Sequence, residues 1–307
     1  MKGSLRLGRH LYEGLQGYLF LSPALILLIV FVAGPGVWVV GLSLTNWDLI
    51  SSTASFLGVG NYDTLIHDPI WWQTFLQTVY YVVVTVPVGM LLGLGLALLL
   101  NRRFPLRGLF RAAIFVPYVT PAVATLVIWQ VIFNTDYGLL NALVVHLCLP
   151  TTARCLPKLG WLTDSHWAMP AVIIYSLWAT VGFNMVIFLA GLANVPPELG
   201  EAAHVDGASR IGVFRHVTWP LLTPTTFFVL IISTVAAFKV FDAVYVLTGG
   251  SGGPDRSVFV IGFYLYQQAF VYFHAGYASA ISVVLFAIVV SLAAVQMRLA
   301  GRRVFYR

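Results

Sequence analysis

Six stretches of predominantly apolar residues run along the chain, with more polar segments between them. About 20 apolar residues in a helix are enough to cross the hydrocarbon core of a bilayer. The pattern therefore predicts an all-α membrane protein with six transmembrane helices at Tyr18–Leu44, Phe75–Leu100, Phe110–Phe133, Trp167–Ala193, Leu221–Leu247 and Ala278–Met297. Pro117 and Pro121 interrupt the third stretch. We expect a kink there rather than a break, because neighbouring helices can satisfy the freed carbonyl groups.

A secretory signal is the alternative interpretation of the first stretch, since Lys2, Arg6 and Arg9 precede it. Its apolar run is too long for a signal peptide, and no small-residue cleavage site follows. We interpret it as a membrane helix. The composition agrees, because charged residues make up 9% of the chain and mean hydropathy is +0.88. Ordinary soluble domains carry about 25% charged residues, so a soluble protein is excluded.

The net charge of +6 is explained by where the cations lie. An even number of spans puts both termini on one side, and most of the basic residues lie on that side: Lys2, Arg6, Arg9, Arg102, Arg103, Arg107, Arg111, Arg210, Arg215, Arg298, Arg302, Arg303 and Arg307. The positive-inside rule then places both termini in the cytoplasm. These cations are interpreted as topology determinants and contacts to lipid headgroups, so no nucleic-acid partner is needed.

A metal site and a disulfide scaffold have little support in the sequence. Cys148 and Cys155 lie close together in the second outer segment. A disulfide between them and two buried free thiols are both open interpretations. Two cysteines are too few for a cysteine zinc site. The histidines are scattered, and no nucleophile and base are paired, so neither a metal site nor a catalytic site is expected.

The cytoplasmic segment 196–220 is longer than a connection between adjacent helices requires. Pro196 and Pro197 are suited to opening a short helix, and Gly207 is a natural stop. Ser209 can cap a second short helix, which we expect Pro220 to end. The two helices would form either an amphipathic hairpin at the lipid interface or a docking element for a soluble partner, and these residues alone leave both open.

The loop also carries a run that resembles a known motif. Glu201-Ala202-Ala203, Asp206-Gly207-Ala208, Phe214, Val217, Pro220 and Pro224 are similar to the EAA loop in the inner-membrane permeases of binding-protein-dependent ABC importers. Further similarity to the maltose-type sugar permeases lies in Asn61-Tyr62, Asp68-Pro69, Trp72, Arg107-Gly108, Trp129, Phe241-Asp242, Tyr245, Leu247-Thr248-Gly249-Gly250, Gly253-Pro254 and Gly276-Tyr277-Ala278-Ser279-Ala280. The chain departs from that subgroup in lacking extra N-terminal spans and a large external insertion.

The resemblance implies a type I ABC importer permease fold in a bacterial or archaeal inner membrane. It implies a cytoplasmic N-terminus at 1–17, one permease domain at 18–297 with its core at about 75–297, and a basic C-terminus at 298–307. The residues that it implies for coupling to an ABC ATPase dimer are Glu201, Ala202, Ala203, Asp206, Gly207 and Ala208. A second permease, expected to be a different chain, and an external solute-binding protein are the other implied partners.

The chain contains no G-x-x-x-x-G-K-[ST] phosphate loop, so we expect no cofactor here and place ATP and Mg²⁺ on the partner ATPase. Lys239 and Asp242 lie inside the fifth stretch, where charges usually face a bundle interior or water. Their spacing of three residues predicts one helical face, on which they form a structural ion pair or line the translocation path.

We interpret a larger group of polar and aromatic residues as the substrate pathway, because rings beside hydroxyl and amide groups suit a carbohydrate. The group comprises Ser176, Trp178, Thr180, Phe183, Asn184, Ser233, Phe238, Lys239 and Asp242. Ala237 and Lys239 depart from the amides of the maltose-type family, which leaves sugars, sugar alcohols and glycerol-phosphate compounds open. The rival functions are a proton-coupled secondary transporter that uses Lys239 and Asp242, and a membrane enzyme acting on lipids.

Overall fold

A computed structural model describes residues 17–51, 53–102, 104–146 and 157–300. Within these ranges the regular elements are helical, apart from one isolated antiparallel bridge between Thr45 and Phe56. The helices are α1 (Gly17–Leu42), α2 (Gly60–His67), α3 (Pro69–Leu100), α4 (Arg107–Val119), α5 (Ala122–Ile132), α6 (Leu139–His146), α7 (Ser165–Ala193), α8 (Pro197–Val205), α9 (Arg210–Phe238), α10 (Asp242–Leu247), α11 (Ile261–Tyr266) and α12 (Ala275–Ala300).

Five of the helices in the described ranges are long and apolar enough to cross a membrane. They are α1, α3, α7, α9 and α12, and the bent pair α4–α5 adds a sixth span if it is counted as one. The prediction of a helical membrane protein is therefore confirmed for these residues, with five candidate spans, or the predicted six if the bent pair is one span.

The third span breaks where only a kink was expected. The axes of α4 and α5 differ by 97° across Thr120 and Pro121. Thr120 has φ −76° and ψ 141°, which is extended backbone. The ring of a proline clashes with helical backbone at the preceding residue, so Pro121 forces Thr120 out of the helix. Pro117 has no such effect and lies inside α4.

The fifth span also differs from its prediction as one helix over Leu221–Leu247. The helix α9 ends at Phe238, and α10 begins at Asp242. Lys239 caps the end of α9, and Phe241 has φ −144° and ψ −58°, outside the helical region. Apolar periodicity continues through the break, which is why the sequence did not reveal it.

The long helix α7 packs against α3, α4 and α9 through its small residues. A Cβ atom on Gly182 would lie 2.2 Å from the carbonyl oxygen of Ile114 in α4, and one on Gly191 would lie 2.5 Å from Thr225 Oγ1 in α9. Gly93 of α3 approaches Asn184 of α7 in the same way, because a Cβ atom added to Gly93 would lie 2.6 Å from the Asn184 Cβ. Small residues allow such close approach, and close approach is what holds helices together in lipid.

An apolar cluster fills the space between these helices. Its buried members are Leu94, Ala97, Leu100, Met185, Phe188, Leu192, Leu222 and Val229. Phe214, near the start of α9, packs against the same cluster. The start of α9 is therefore attached to the packed core of α3 and α7.

Asn141 of α6 organises the segment that leads into α7. Its Nδ2 donates to the carbonyl oxygens of Thr135 at 3.0 Å and Leu159 at 2.8 Å. Its Oδ1 accepts from the Leu159 N–H at 3.0 Å and from the Trp161 Nε1–H at 3.1 Å. Asn141 is 2% exposed, so one buried amide satisfies four polar groups of the surrounding segment.

Asn141→Ala is expected to destabilise the protein, because it leaves the indole of Trp161 and the Leu159 N–H buried without acceptors. Each such group costs about 1–3 kcal/mol. A lower midpoint of thermal unfolding in detergent would show the effect. Asn194→Ala is the control, because Asn194 is exposed and its side chain makes no hydrogen bond within the described residues. Equal midpoints for the two variants would contradict the role of Asn141.

Residues 68–266 and 285–300 form one compact unit, and residues 17–67 and 267–284 form another. In the second unit, Asn61 Nδ2 donates to the carbonyl oxygens of Ser43 at 2.8 Å and Thr45 at 2.7 Å. A Cβ atom on Gly276 would lie 2.0 Å from the Thr45 carbonyl oxygen. Asn61 and Gly276 both belong to the family-like motifs, and here they join α2 and α12 to the segment that follows α1.

Several sequence predictions fall on residues outside the described ranges. These are the basic residues before position 17, the pair Cys148 and Cys155, and the C-terminal residues after 300. The cytoplasmic placement of both termini and the domain limits stay predictions.

Candidate functional site

A cavity of about 170 Å³ lies between four helices of the larger unit. Its walls come from α3, α4, α7 and α9. The lining residues are Tyr81, Thr85, Val86, Tyr118, Ser176, Thr180, Phe183, Asn184, Ile232, Ser233, Ala236, Ala237 and Val240. The cavity therefore borders the junction between α9 and α10, because Val240 lies inside that junction.

One wall of the cavity is aromatic. The rings of Tyr118 and Phe183 stack with their centroids 4.6 Å apart and their planes 20° from parallel. Tyr118 follows Pro117 near the end of α4, and Phe183 follows Gly182, at which α7 touches α4. The close approach at Gly182 is thus what brings the two rings together.

The other walls carry hydroxyl and amide groups. Ser176 Oγ donates to the Val172 carbonyl oxygen at 2.8 Å, and Thr180 Oγ1 donates to that of Ser176 at 2.7 Å. Both hydroxyls keep acceptor capacity for a further partner. Ser233 Oγ lies 3.4 Å from Asn184 Oδ1, which connects α9 to α7 across the cavity.

Thr85 is the least satisfied of these polar residues. Its hydroxyl oxygen is shielded from solvent, and no hydrogen bond of good geometry reaches it. The phenol of the buried Tyr81 lies beside the hydroxyls of Thr85 and Ser176. A ligand with several hydroxyl groups would meet donors and acceptors from α3, α7 and α9 in one place.

The segment predicted to bind a partner forms a sharp helical turn. Pro197 opens α8 as expected, and the acidic Glu198 lies in its first turn. Gly207 ends it with φ +81°. The Gly207 N–H donates to the His204 carbonyl at 3.0 Å and the Ala208 N–H to that of Ala203 at 2.9 Å, which is a Schellman motif. Ser209 Oγ accepts from the Gly212 N–H at 3.2 Å and caps the next helix, also as expected.

The second short helix of this segment does not end at Pro220. It continues as α9 from Arg210 to Phe238. The residues Phe214–Thr218 form a π-helical turn, in which the Trp219 N–H donates to the Phe214 carbonyl. Proline has no N–H to donate, and the wider turn accommodates Pro220 without ending the helix. The turn predicted to bind a partner is therefore continuous with a candidate membrane span.

The six residues expected in coupling lie on or just after α8. Glu201, Ala202, Asp206 and Gly207 are exposed, and Ala203 and Ala208 are half-buried. Two apolar neighbours protrude, with Val205 88% and Ile211 79% exposed. Acidic groups, small residues and exposed apolar tips thus share one turn.

Metal chemistry has no support in the described ranges, where no group of three or more histidine, cysteine or acidic side chains could hold an ion.

The family of the chain follows from its sequence similarity. Residues 86–305 match the model of the binding-protein-dependent transport system inner membrane components. The chain belongs to this family. Its members are permease subunits of ABC importers, which are transport components rather than enzymes.

Individual relatives cover nearly the whole permease. The sulfoquinovosyl glycerol transport system permease protein SmoG of Agrobacterium fabrum is 34% identical over 94% of this chain and 91% of its own. The lactose transport system permease protein LacF of Rhizobium radiobacter is 34% identical over 95% of this chain and 96% of its own.

A solved structure shares the fold of the permease. It is a chain of a bacterial alginate ABC transporter in complex with an alginate pentasaccharide-bound periplasmic protein, with a TM-score of 0.81 and 20% identity. The match covers 97% of this chain and 98% of that chain.

The cavity brings together part of the predicted substrate pathway. Ser176, Thr180, Phe183, Asn184 and Ser233 line it. The other four predicted residues do not. Trp178 lies on another face of α7, against Trp129 of α5, and Phe238 is buried in packing. Lys239 and Asp242 are exposed at the junction of α9 and α10.

Lys239 and Asp242 do not form the ion pair that their spacing suggested. Both lie in the described part of the permease, and the ion pairs found there do not include one between them. The reason is the break at Lys239–Phe241, which removes the continuous helical face that the prediction assumed.

Sequence reasoning missed the contribution of α3 and α4 to the cavity. Tyr81 and Thr85 are one helical turn apart and line the cavity, as does Tyr118. The signal available was a tyrosine and a threonine at i and i+4 in an apolar span. Such a pair is also common in helix packing, so only the fold could show which way it faces.

Proposed function

We propose that this permease forms half of the membrane pathway of an ATP-driven importer for a sugar or a related polyol or glycerol-phosphate solute. The cavity between α3, α4, α7 and α9 is the observation that carries the proposal. Stacked aromatic rings next to hydroxyl and amide groups provide apolar faces and hydrogen bonds in the combination that suits a carbohydrate. The transport systems for which SmoG and LacF are named take sugar-containing solutes, which supports the same class here.

An external binding protein delivers the solute, and the second permease, which we expect to be a different chain, completes the pathway. The periplasmic protein in the alginate transporter complex supports the first of these partners. The resemblance to the maltose-type subgroup supports the second.

The energy for transport enters at α8. In this proposal an ABC ATPase dimer, which carries the ATP and Mg²⁺, binds the turn formed by Glu201–Ala208. Closure of the ATPase dimer moves α9 directly, because α9 begins at Arg210, just after that turn. The π-helical segment Phe214–Thr218 then continues α9 into the membrane span. Phe214 transfers the movement to α3 and α7 by its packing on their apolar cluster.

The ATP requirement tests the proposal against a proton-coupled secondary transporter. The complex of this permease with its second permease, ATPases and binding protein is reconstituted in liposomes. We expect uptake to need ATP on the side of the membrane that carries the ATPases. We expect it to continue when an uncoupler collapses the proton gradient. Uptake that stops with the uncoupler at constant ATP would support the rival function and contradict ours.

Filling the cavity tests the pathway itself. Ala236 lines the cavity, so Ala236→Phe is expected to reduce uptake at least about tenfold by occupying the space of the solute. ATP hydrolysis by the assembled complex should persist. Ala287→Phe places the same ring on an exposed position of α12 and serves as the control. Unchanged uptake in Ala236→Phe would place the pathway elsewhere.

A further inference from the structure

The junction between α9 and α10 exposes charge within a membrane span. Lys239 and Asp242 are both exposed, and neither is ion-paired within the described residues. A charged side chain facing lipid is costly, and a break in a membrane helix is tolerated only where it is buried in protein or lines a water-filled cavity. This face of the permease therefore borders water or another protein chain rather than lipid.

Buried hydrogen bonds fix the three helices that make this face. The hydroxyls of Thr125 in α5 and Tyr175 in α7 lie 2.9 Å apart. Gln130 Nε2 of α5 donates to the Val246 carbonyl oxygen of α10 at 2.5 Å. Asp242 begins α10, one helical turn before Val246. The positions of α5, α7 and α10 are thus set before any ligand arrives.

An aromatic platform lies on two of these helices, α5 and α7. The ring centroids of Trp129 and Trp178 are 5.3 Å apart, and those of Tyr175 and Trp178 are 6.0 Å apart. Trp178 is 37% exposed, so part of its ring is available for contact. An indole face stacks on the C–H face of a pyranose, and a nearby carboxylate accepts hydrogen bonds from the hydroxyls of the ring.

We propose that Trp178, Trp129 and Asp242 form a second sugar-contact site for a pyranose ring, separate from the cavity. The inference rests on the proposed function, because it takes the solute to be a carbohydrate. Val240, which lines the cavity, and Asp242, which begins α10, are two residues apart in the chain. A solute with two or more sugar rings could contact both.

Transport by the complete complex tests the site, with radiolabelled maltose, trehalose and lactose as probes. We expect Trp178→Ala and Asp242→Ala each to raise the half-saturating concentration of a transported sugar about tenfold. Trp178→Phe keeps a flat ring and should stay within about threefold. Trp167→Ala is the matched control, because Trp167 is 36% exposed on the same helix. The tryptophan fluorescence of the complex should change on addition of that sugar, and less so in Trp178→Phe.

The outcomes separate this inference from the proposed function. If the wild-type complex transports none of the three sugars, the pyranose-contact site is refuted, whereas the proposed function, which also covers polyols and glycerol-phosphate solutes, stands. If it transports one, and both alanine variants keep the wild-type half-saturating concentration, the second site is refuted and the proposed function stands. If Trp178→Ala loses the second permease during co-purification, the face is a subunit interface and the inference is overturned.

Discussion

Gly207→Pro is expected to abolish solute uptake while the permease still inserts into the membrane in normal amounts. Gly207 has φ +81°, whereas proline fixes φ at about −65°. The proline also removes the N–H that donates to His204, so the Schellman turn at the end of α8 is lost. The ATPases would then meet a misdirected α8, and ATP hydrolysis would no longer move α9. Uptake and ATP hydrolysis measured on the reconstituted complex check this result.

Two further variants make this experiment specific. Gly212→Ala is the control in the same turn, since its added Cβ would lie 3.4 Å from Ser209 Oγ, an ordinary contact. It should transport at close to the wild-type rate. Glu201→Lys reverses an exposed charge on α8 and should lose uptake without any change of fold. Wild-type uptake in both Gly207→Pro and Glu201→Lys would rule out the coupling role of this turn.

Gly182→Ala is expected to cause the largest loss of stability for the smallest change in side chain. The added methyl group would lie 2.2 Å from the Ile114 carbonyl oxygen and 2.9 Å from Phe115 Cα. Both are backbone atoms, so no side-chain rotation relieves the clash, and α4 must move away from α7. Overpacking of this kind costs about 1–3 kcal/mol or more. The measurement is the midpoint of thermal unfolding in detergent, which should fall by several degrees.

The same substitution has a functional consequence. Separation of α4 from α7 would part Tyr118 from Phe183 and remove the stacked wall of the cavity. We expect weaker uptake even in the fraction of protein that folds. Gly95→Ala is the control, because no atom lies within 4 Å of its added Cβ. Equal stability of Gly182→Ala and Gly95→Ala would contradict the close helix contact.

Local chemistry explains what sequence reasoning predicted correctly. A helix end is specified by a few neighbouring residues, so Pro197, Gly207 and Ser209 could be assigned their roles before the fold was known. The spans were predictable because lipid requires a long apolar run whatever the helix packs against. The family-like motifs added the partners, which nothing in the apolar pattern contains.

The errors have a common cause, which is that prolines and charges were interpreted one at a time. Pro121 breaks its span and Pro220 does not. The difference depends on whether the surrounding helix can widen into a π turn or must bend. Likewise, Lys239 and Asp242 share a helical face only if the helix is continuous between them. The positions of these helix breaks are set by packing, and the pattern of apolar residues along the sequence does not predict them.

The sequence by itself determined that this chain crosses a membrane several times, where the first, fourth and sixth spans begin and end within a few residues, and which turn resembles a coupling element. Only the tertiary structure decided which polar residues face one another: Tyr81, Thr85 and Tyr118 join Phe183 and Asn184 at the cavity, and Trp178 faces Trp129 instead. The physical reason is that helix propensity and hydropathy act along the chain. The direction in which a side chain points depends on close contacts between residues that are distant in the sequence, such as Gly182 with Ile114.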